Sequence, residues 1–247
     1  MTAGAVAGVL MIVAWAAFWS PLLDVRSIRV IGGRHTHAAQ VASIARLDEG
    51  ANLLLLSTSR VAARARALPW VKSARVDRKL PGTLVVRIRE RRPALVLSLG
   101  AARWTMDATG RVLAPGAVQR GLPVLSGSAL AGIRPGARPA SPQLTSALRA
   151  YRSLPPNVRA QVTTIAAPSV ERVTFALKSG IVVHYGDAAR TRFKNSVLRS
   201  LLAELARERR TPAYIDVSVP SSPAIAGAAP LATPAPSAPA PSATPSP

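Results

Sequence analysis

The chain has no cysteine among its 247 residues, so disulfide staples, thiolate catalysis and zinc held by sulfur are all excluded. Acidic residues are scarce. Eleven Asp and Glu face 32 Lys and Arg, a net charge of +21 that favours anionic partners without choosing among nucleic acid, phospholipid and wall polymer. Aromatics make up 4% of the chain, and between Val25 and Arg92, where fifteen Lys and Arg oppose four Asp and Glu, Trp70 is the one stacking side chain. Single-stranded nucleic-acid binding lacks its usual platforms. Phosphate-loop, dinucleotide-loop and serine-elbow motifs are all missing.

The residues able to do chemistry are few and scattered. Asp48 and Glu49 adjoin, but in a turn ahead of Gly50. His35 and His37 have no third ligand at motif spacing, and His184 alternates inside a strand pattern. We therefore expect no enzyme, no cofactor and no metal.

What is present divides the chain into four parts. Thr2 to Leu23 carries no charge, and about 20 apolar residues suffice to cross a bilayer, so residues 1–23 are read as a transmembrane anchor, with Trp15 and Trp19 toward one interface. A cleaved signal is the alternative, through Ala14-Trp15-Ala16. Arg26, Arg29 and Arg34 follow the helix with nothing basic before it, which by the positive-inside rule alone would leave the later domains in the cytoplasm. At the other end, residues 220–247 hold nine prolines and no charge and are expected to be a disordered tail.

Residues 24–92 predict the order β-α-α-β-β. Val25 to Ile31 is a strand ended by Gly32-Gly33; Thr36 opens a helix through Ala45; Ser57 or Ser59 caps a second, stopped by Pro69. Val71–Lys79 and Thr83–Glu90 are strands joined at Pro81-Gly82. In the last, Leu84, Val86 and Ile88 share one face and Arg87 and Arg89 the other, the period-two mark of a half-buried sheet. Residues 93–219 are strand-rich, with a helix opened by Ser141-Pro142 and another capped by Asp187 that stripes Phe193, Val197, Leu198, Leu201, Leu202 and Leu205. Tyr214 to Val219 is the final strand, halted by Pro220. The fold class is α+β, its second domain mostly antiparallel.

Several segments in fixed order carry a resemblance: Val25-Arg26-Ser27-Ile28-Arg29-Val30-Ile31-Gly32, Leu68-Pro69-Trp70-Val71, Leu80-Pro81-Gly82-Thr83-Leu84, Asp107-Ala108-Thr109-Gly110-Arg111-Val112, the pair Gly186 and Lys194, and Tyr214-Ile215-Asp216-Val217. In this order the chain resembles the FtsQ/DivIB family of bacterial cell-division proteins. The resemblance implies a POTRA domain over 24–92 and the family's β domain over 93–219. It implies a single-pass protein of the cytoplasmic membrane with both domains outside, preceded in family members by a basic cytoplasmic segment, and concentrated at the division septum. It also implies a scaffold whose last strand receives a strand from the coiled-coil subunits FtsB/DivIC, which pair with FtsL. Here that edge would be Tyr214, Ile215, Asp216, Val217, Ser218 and Val219, shortened by Pro220 and Pro223. A basic envelope protein binding anionic lipid or wall polymers, and a POTRA-bearing secretion or assembly factor, are the rival readings; the second would need tandem repeats or barrel strands.

Overall fold

The computed structural model describes residues 8, 23–45, 51–127 and 132–227. The expected anchor lies outside these apart from Gly8 and Leu23, as does the tail beyond residue 227. Among the described residues no helix is long and apolar enough to cross a membrane.

The first unit is a three-stranded sheet of order β1-β3-β2, built from β1 (Ser27–Ile31), β2 (Val71–Lys79) and β3 (Thr83–Glu90), with β1 parallel and β2 antiparallel to β3. Leu84, Val86 and Ile88 of β3 turn inward, as their alternation requires, onto α1 (Ala38–Ala45) and α2 (Thr58–Ala65). Val41, Ala45, Val61 and Ala65 close that core from the helix side. Ser57 caps α2, its hydroxyl accepting from the Arg60 N–H. Two cations are built into this layer: Arg64 donates to the Ala45 carbonyl, and Arg78 to the Leu53 and Leu56 carbonyls at 2.8 and 2.7 Å.

The second unit is a nine-stranded mixed sheet of order β12-β11-β10-β9-β8-β7-β4-β5-β6. Its strands are β4 (Pro93–Leu99), β5 (Ala102–Asp107), β6 (Val112–Pro115), β7 (Val124–Ser126), β8 (Val162–Ser169), β9 (Arg172–Leu177), β10 (Val182–Gly186), β11 (Tyr214–Asp216) and β12 (Ala224–Ala226). β7 runs parallel to both β4 and β8, and β11 parallel to β10; the remaining pairs are antiparallel. Helix α3 (Pro142–Ser153), capped by Ser141, is followed by the short α4 (Pro156–Arg159) and later by α5 (Thr191–Arg207). Leu144, Leu148 and Tyr151 of α3 and Leu198 and Leu205 of α5 pack into the core of this sheet with Phe175, Val183 and Tyr185.

Two details of α5 differ from the sequence pattern. Phe193, expected on the buried stripe, is half exposed, and the residue before the helix is Arg190 in a left-handed conformation with no side-chain cap. Asp187 has another task. Its carboxylate accepts from Lys194 at 2.6 Å, and the same ammonium, 1% exposed, donates to the carbonyls of Tyr185 and Asp187 at 3.0 Å each. This bond is the main reason the Asp187 carboxyl is held below its ordinary range. Lys194 thus ties the first turn of α5 to the end of β10. Gly186, between them, has φ +74°, and a Cβ there would lie 2.8 Å from that of Ser218.

The two sheets are joined where β3 runs into β4. Asp107, at the end of β5, accepts from the Thr109 N–H and hydroxyl (2.8 and 2.6 Å), from the Arg111 N–H (3.0 Å) and from Arg91 Nη1 (2.9 Å). Arg111 then reaches back across the junction to the Ala67 carbonyl at 2.8 Å, and the Arg91 N–H meets the Trp70 carbonyl at 2.7 Å. Burial alone would raise the Asp107 carboxyl; the bonds from Thr109, Arg111 and Arg91 outweigh it and hold the carboxyl below the ordinary value of 3.8.

Two outcomes follow for stability. Asp107→Ala leaves the Arg91 guanidinium, 12% exposed, without its carboxylate and is expected to cost about 3 kcal/mol, read by urea denaturation. Because the folded-state carboxyl is depressed, its contribution is complete above the unfolded value near 3.8 and disappears as pH falls through the lower folded value, so the wild-type advantage over the variant shrinks only in acid. Lys194→Met, similar in volume but unable to donate, is expected to cost about 2 kcal/mol by thermal denaturation.

The C-terminal sheet edge as candidate functional site

The expected edge strand, Tyr214 to Val219, is placed differently from the sequence reading. Only Tyr214–Asp216 is strand, and it is not outermost. On one side it pairs in parallel with β10, through Val182↔Tyr214, Val183↔Ile215 and His184↔Asp216. On the other it pairs with β12, through Tyr214↔Ala226, Ile215↔Ile225 and Asp216↔Ala224. Among the described residues the rim of the sheet is therefore Ala224–Ala226, in a stretch assigned from composition to the tail.

The reason is local. After Asp216 the chain turns: the Asp216 carboxylate accepts from the Ser218 N–H at 2.7 Å and the Ser218 hydroxyl at 2.6 Å, a self-contained turn that withdraws Ser218 from any ladder. Val217 donates its N–H to the His184 carbonyl and is wholly buried, so it belongs to the core and not to an edge. Pro220 and Pro223 then flank a second turn, closed by Ser222 N–H to the Val219 carbonyl at 2.9 Å, where a missing proline N–H costs nothing. The chain comes back as β12, with Ile225 opposite Ile215.

The six residues expected at the edge separate by role. Ile215 and Val217 are buried beside Val183 and Leu198 and hold the last strands onto α5. Asp216 and Ser218 make the turn. Tyr214 and Val219 are exposed, Tyr214 with its ring edge-on to His184 at 5.2 Å. The sequence reading did not identify Ala224 to Ala226. A signal was there: Ile225 is a β-branched residue two positions past a Pro-Ser-Ser-Pro turn, in a segment otherwise of Ala, Pro and Ser.

A strand paired on one side only presents N–H and C=O groups of its other side to solvent. Among the described residues β12 is in that state, its side chains small at Ala224 and Ala226, with Ile225 exposed. The arrangement can accept an extended backbone, with little steric resistance from its own side chains.

Of the residues considered for other chemistry, Asp48 and Glu49 lie outside the described residues. His35 stacks on Trp70 at 3.8 Å, and its Nδ1 lies 3.1 Å from Glu90, whose other oxygen accepts the N–H groups of Arg34 and His35. Burial would raise the Glu90 carboxyl; the bonds from His35, Thr36 and Arg34 bring it below its ordinary value. His184 is exposed on β10. Among the described residues no group of three or more His, Asp or Glu could hold a metal ion.

Residues 23–91 match the family model described as the POTRA domain, FtsQ-type, and residues 101–218 match that of the cell division protein FtsQ/DivIB C-terminal domain. The chain is 33% identical over 208 residues to cell division protein FtsQ of Mycolicibacterium smegmatis, covering 84% of this chain and 59% of the relative. It is 32% identical over 210 residues to that of Mycobacterium tuberculosis, covering 85% and 63%. For Streptomyces venezuelae the values are 29% over 230 residues, covering 90% and 82%. The chain thus spans about three fifths of the length of the two mycobacterial relatives. With a POTRA sheet followed by this β domain, each matched in order, the chain belongs to the FtsQ/DivIB family of bacterial cell-division proteins.

Proposed function

We propose that this protein is a non-enzymatic scaffold of the division machinery. Residues 1–23 anchor it in the cytoplasmic membrane as a single pass, and both folded units stand outside, at the septum. Its working surface is the outer rim of β12, which takes up a strand from a coiled-coil partner of the FtsB/DivIC type, itself paired with an FtsL-type subunit. The scaffold thereby couples the position of the septum to wall synthesis.

One observation carries this reading: among the described residues the nine-stranded sheet ends in a three-residue strand with one unpaired side and two alanines. Main-chain bonds worth roughly 0.5 to 1.5 kcal/mol each would supply affinity, and alternate side chains the choice of partner. Tyr214 and Val219, exposed beside the rim, are the members of the 214–219 segment available to a partner's side chains. Ile215, Asp216, Val217 and Ser218 act through the fold, by holding β11 and the turn that brings β12 back. A few such bonds suit a micromolar and reversible contact, the regime a transient assembly needs.

Ile225→Pro removes a donor from β12 at a residue that is 40% exposed, without touching the core. It is expected to weaken binding of the coiled-coil partner's extracytoplasmic segment about tenfold in a calorimetric titration and to leave the thermal transition cooperative. Unchanged affinity would sink strand addition at β12. Tighter binding would move the contact to β11, uncovered by release of β12. A fluorescent fusion forming a band at mid-cell is the expected location, and an even signal around the cell counts against the division role.

A further inference from the structure

The charge of the POTRA sheet is concentrated on one side. Strand alternation and register set Arg29 of β1, Arg87 and Arg89 of β3, and Arg75 and Lys79 of β2 on the face opposite α1 and α2. The Ser27 and Thr83 hydroxyls, 2.9 Å apart on the same side, fix that registration. Asp77, paired with Arg87, is the one carboxylate that these strands place on this face. Strands about 4.8 Å apart, with same-side residues about 6.7 Å apart along each, make the array close to planar. The other cations of this unit include several used internally: Arg64 and Arg78 bond carbonyls, and Arg91 bonds Asp107. The face is therefore a distinct surplus, and no aromatic lies on it to stack a base.

We infer that the open face of the POTRA sheet docks on the anionic phospholipid headgroups of the membrane that holds the chain. The inference rests on the anchor proposed above for residues 1–23. Given that anchor, β1 begins four residues after Leu23, at most about 14 Å of extended chain, so the first strand of the array stays near the bilayer surface. A tether of that length raises the effective concentration of headgroups at the face above that of any polymer free in the envelope. A planar cationic array is complementary in sign to an anionic leaflet, and each cation brought to such a surface favours docking by about fivefold at moderate ionic strength. Docking would lay the POTRA unit on the membrane and, through the Asp107 junction, hold the rim of β12 in one orientation to it.

The test uses the full chain, in which an introduced cysteine is the sole thiol. A fluorophore is placed by Ser73→Cys on the open face, or by Ala63→Cys on the exposed side of α2, and the protein is reconstituted in vesicles whose headgroups carry a quencher. In vesicles containing phosphatidylglycerol, quenching at Ser73→Cys is expected to exceed that at Ala63→Cys by about threefold. The difference should vanish in phosphatidylcholine alone, in high salt, and in Arg29→Gln/Arg75→Gln/Arg89→Gln, whose thermal transition checks its fold. Equal quenching at the two positions in anionic vesicles, or no change in the triple variant, overturns the inference. So does loss of the difference on adding a soluble polyphosphate at equal phosphate concentration, which would assign the face to a polymer. An alkaline carbonate wash of the phosphatidylcholine vesicles reads the anchor by itself. Chain retained there, without anionic-lipid-dependent quenching, refutes the docking face and leaves the anchor standing; chain washed away overturns both.

Discussion

Asp107 is one carboxylate with four donors, and the relation between the two sheets runs through it. Its Oδ1 gathers Thr109 and Arg111 into a tight turn after β5, while its Oδ2 holds Arg91, the residue at which β3 becomes β4. The same turn aims the Arg111 guanidinium at the Ala67 and Leu68 carbonyls behind α2. A buried pair of this kind adds little to stability compared with apolar packing, but it is directional. Apolar contact alone would let the sheets slide over one another; charge-assisted bonds from fixed donors restrict them to one arrangement. The proposed relay of position from a membrane to a partner strand would need that restriction more than extra stability.

Cationic residues in this chain serve two ends, and composition could not separate them. Lys194, Arg64, Arg78, Arg91 and Arg111 end on carbonyls or carboxylates inside the fold, replacing caps and turn bonds that other chains build from Ser, Asp or Gly. Arg29, Arg75, Lys79 and Arg89 stand on a flat exterior. A net charge of +21 therefore overstates the cationic surface on offer to a partner. Arg111 shows the cost of the inward use: desolvation, together with Arg91 and Arg138 nearby, lowers its pKa, even with Asp107 opposing the shift.

Where the sequence was legible, a single local rule governed. Alternation in Thr83–Glu90 sorted Leu84, Val86 and Ile88 from Arg87 and Arg89, and the caps Ser57 and Ser141 are where their helices start. Reading failed where a non-local partner decided the outcome. Asp187 has the look of a helix cap, yet a buried ammonium seven residues on draws it away. Tyr214 to Val219 has the composition of one strand, but the Asp216 carboxylate binds the Ser218 N–H more locally than a neighbouring strand could and breaks it in two. β12 was hidden by its own composition, since Ala has weak strand preference and two prolines precede it; pairing with β11 supplies what propensity lacks. The parallel pairing of β7 with β4 and β8 leaves no local trace at all.

The shortness of the rim bears on how the proposed scaffold could be selective. Three residues of backbone pairing recognise extended chain but few side chains, so β12 by itself discriminates weakly. A longer free edge would bind more tightly and would also invite any exposed strand in the envelope, the hazard that unpaired edges carry. A short edge backed by a buried Ile215 and flanked by exposed Tyr214 and Val219 shifts the choice of partner to side chains around the strand, while the backbone supplies a modest common affinity. Selectivity can then be raised further by placement: two surfaces anchored in one bilayer meet at high effective concentration, so a contact too weak to hold in solution suffices between membrane neighbours. On the proposed membrane-anchored frame, a weak edge would favour the partner that is already alongside and release it when the assembly dissolves.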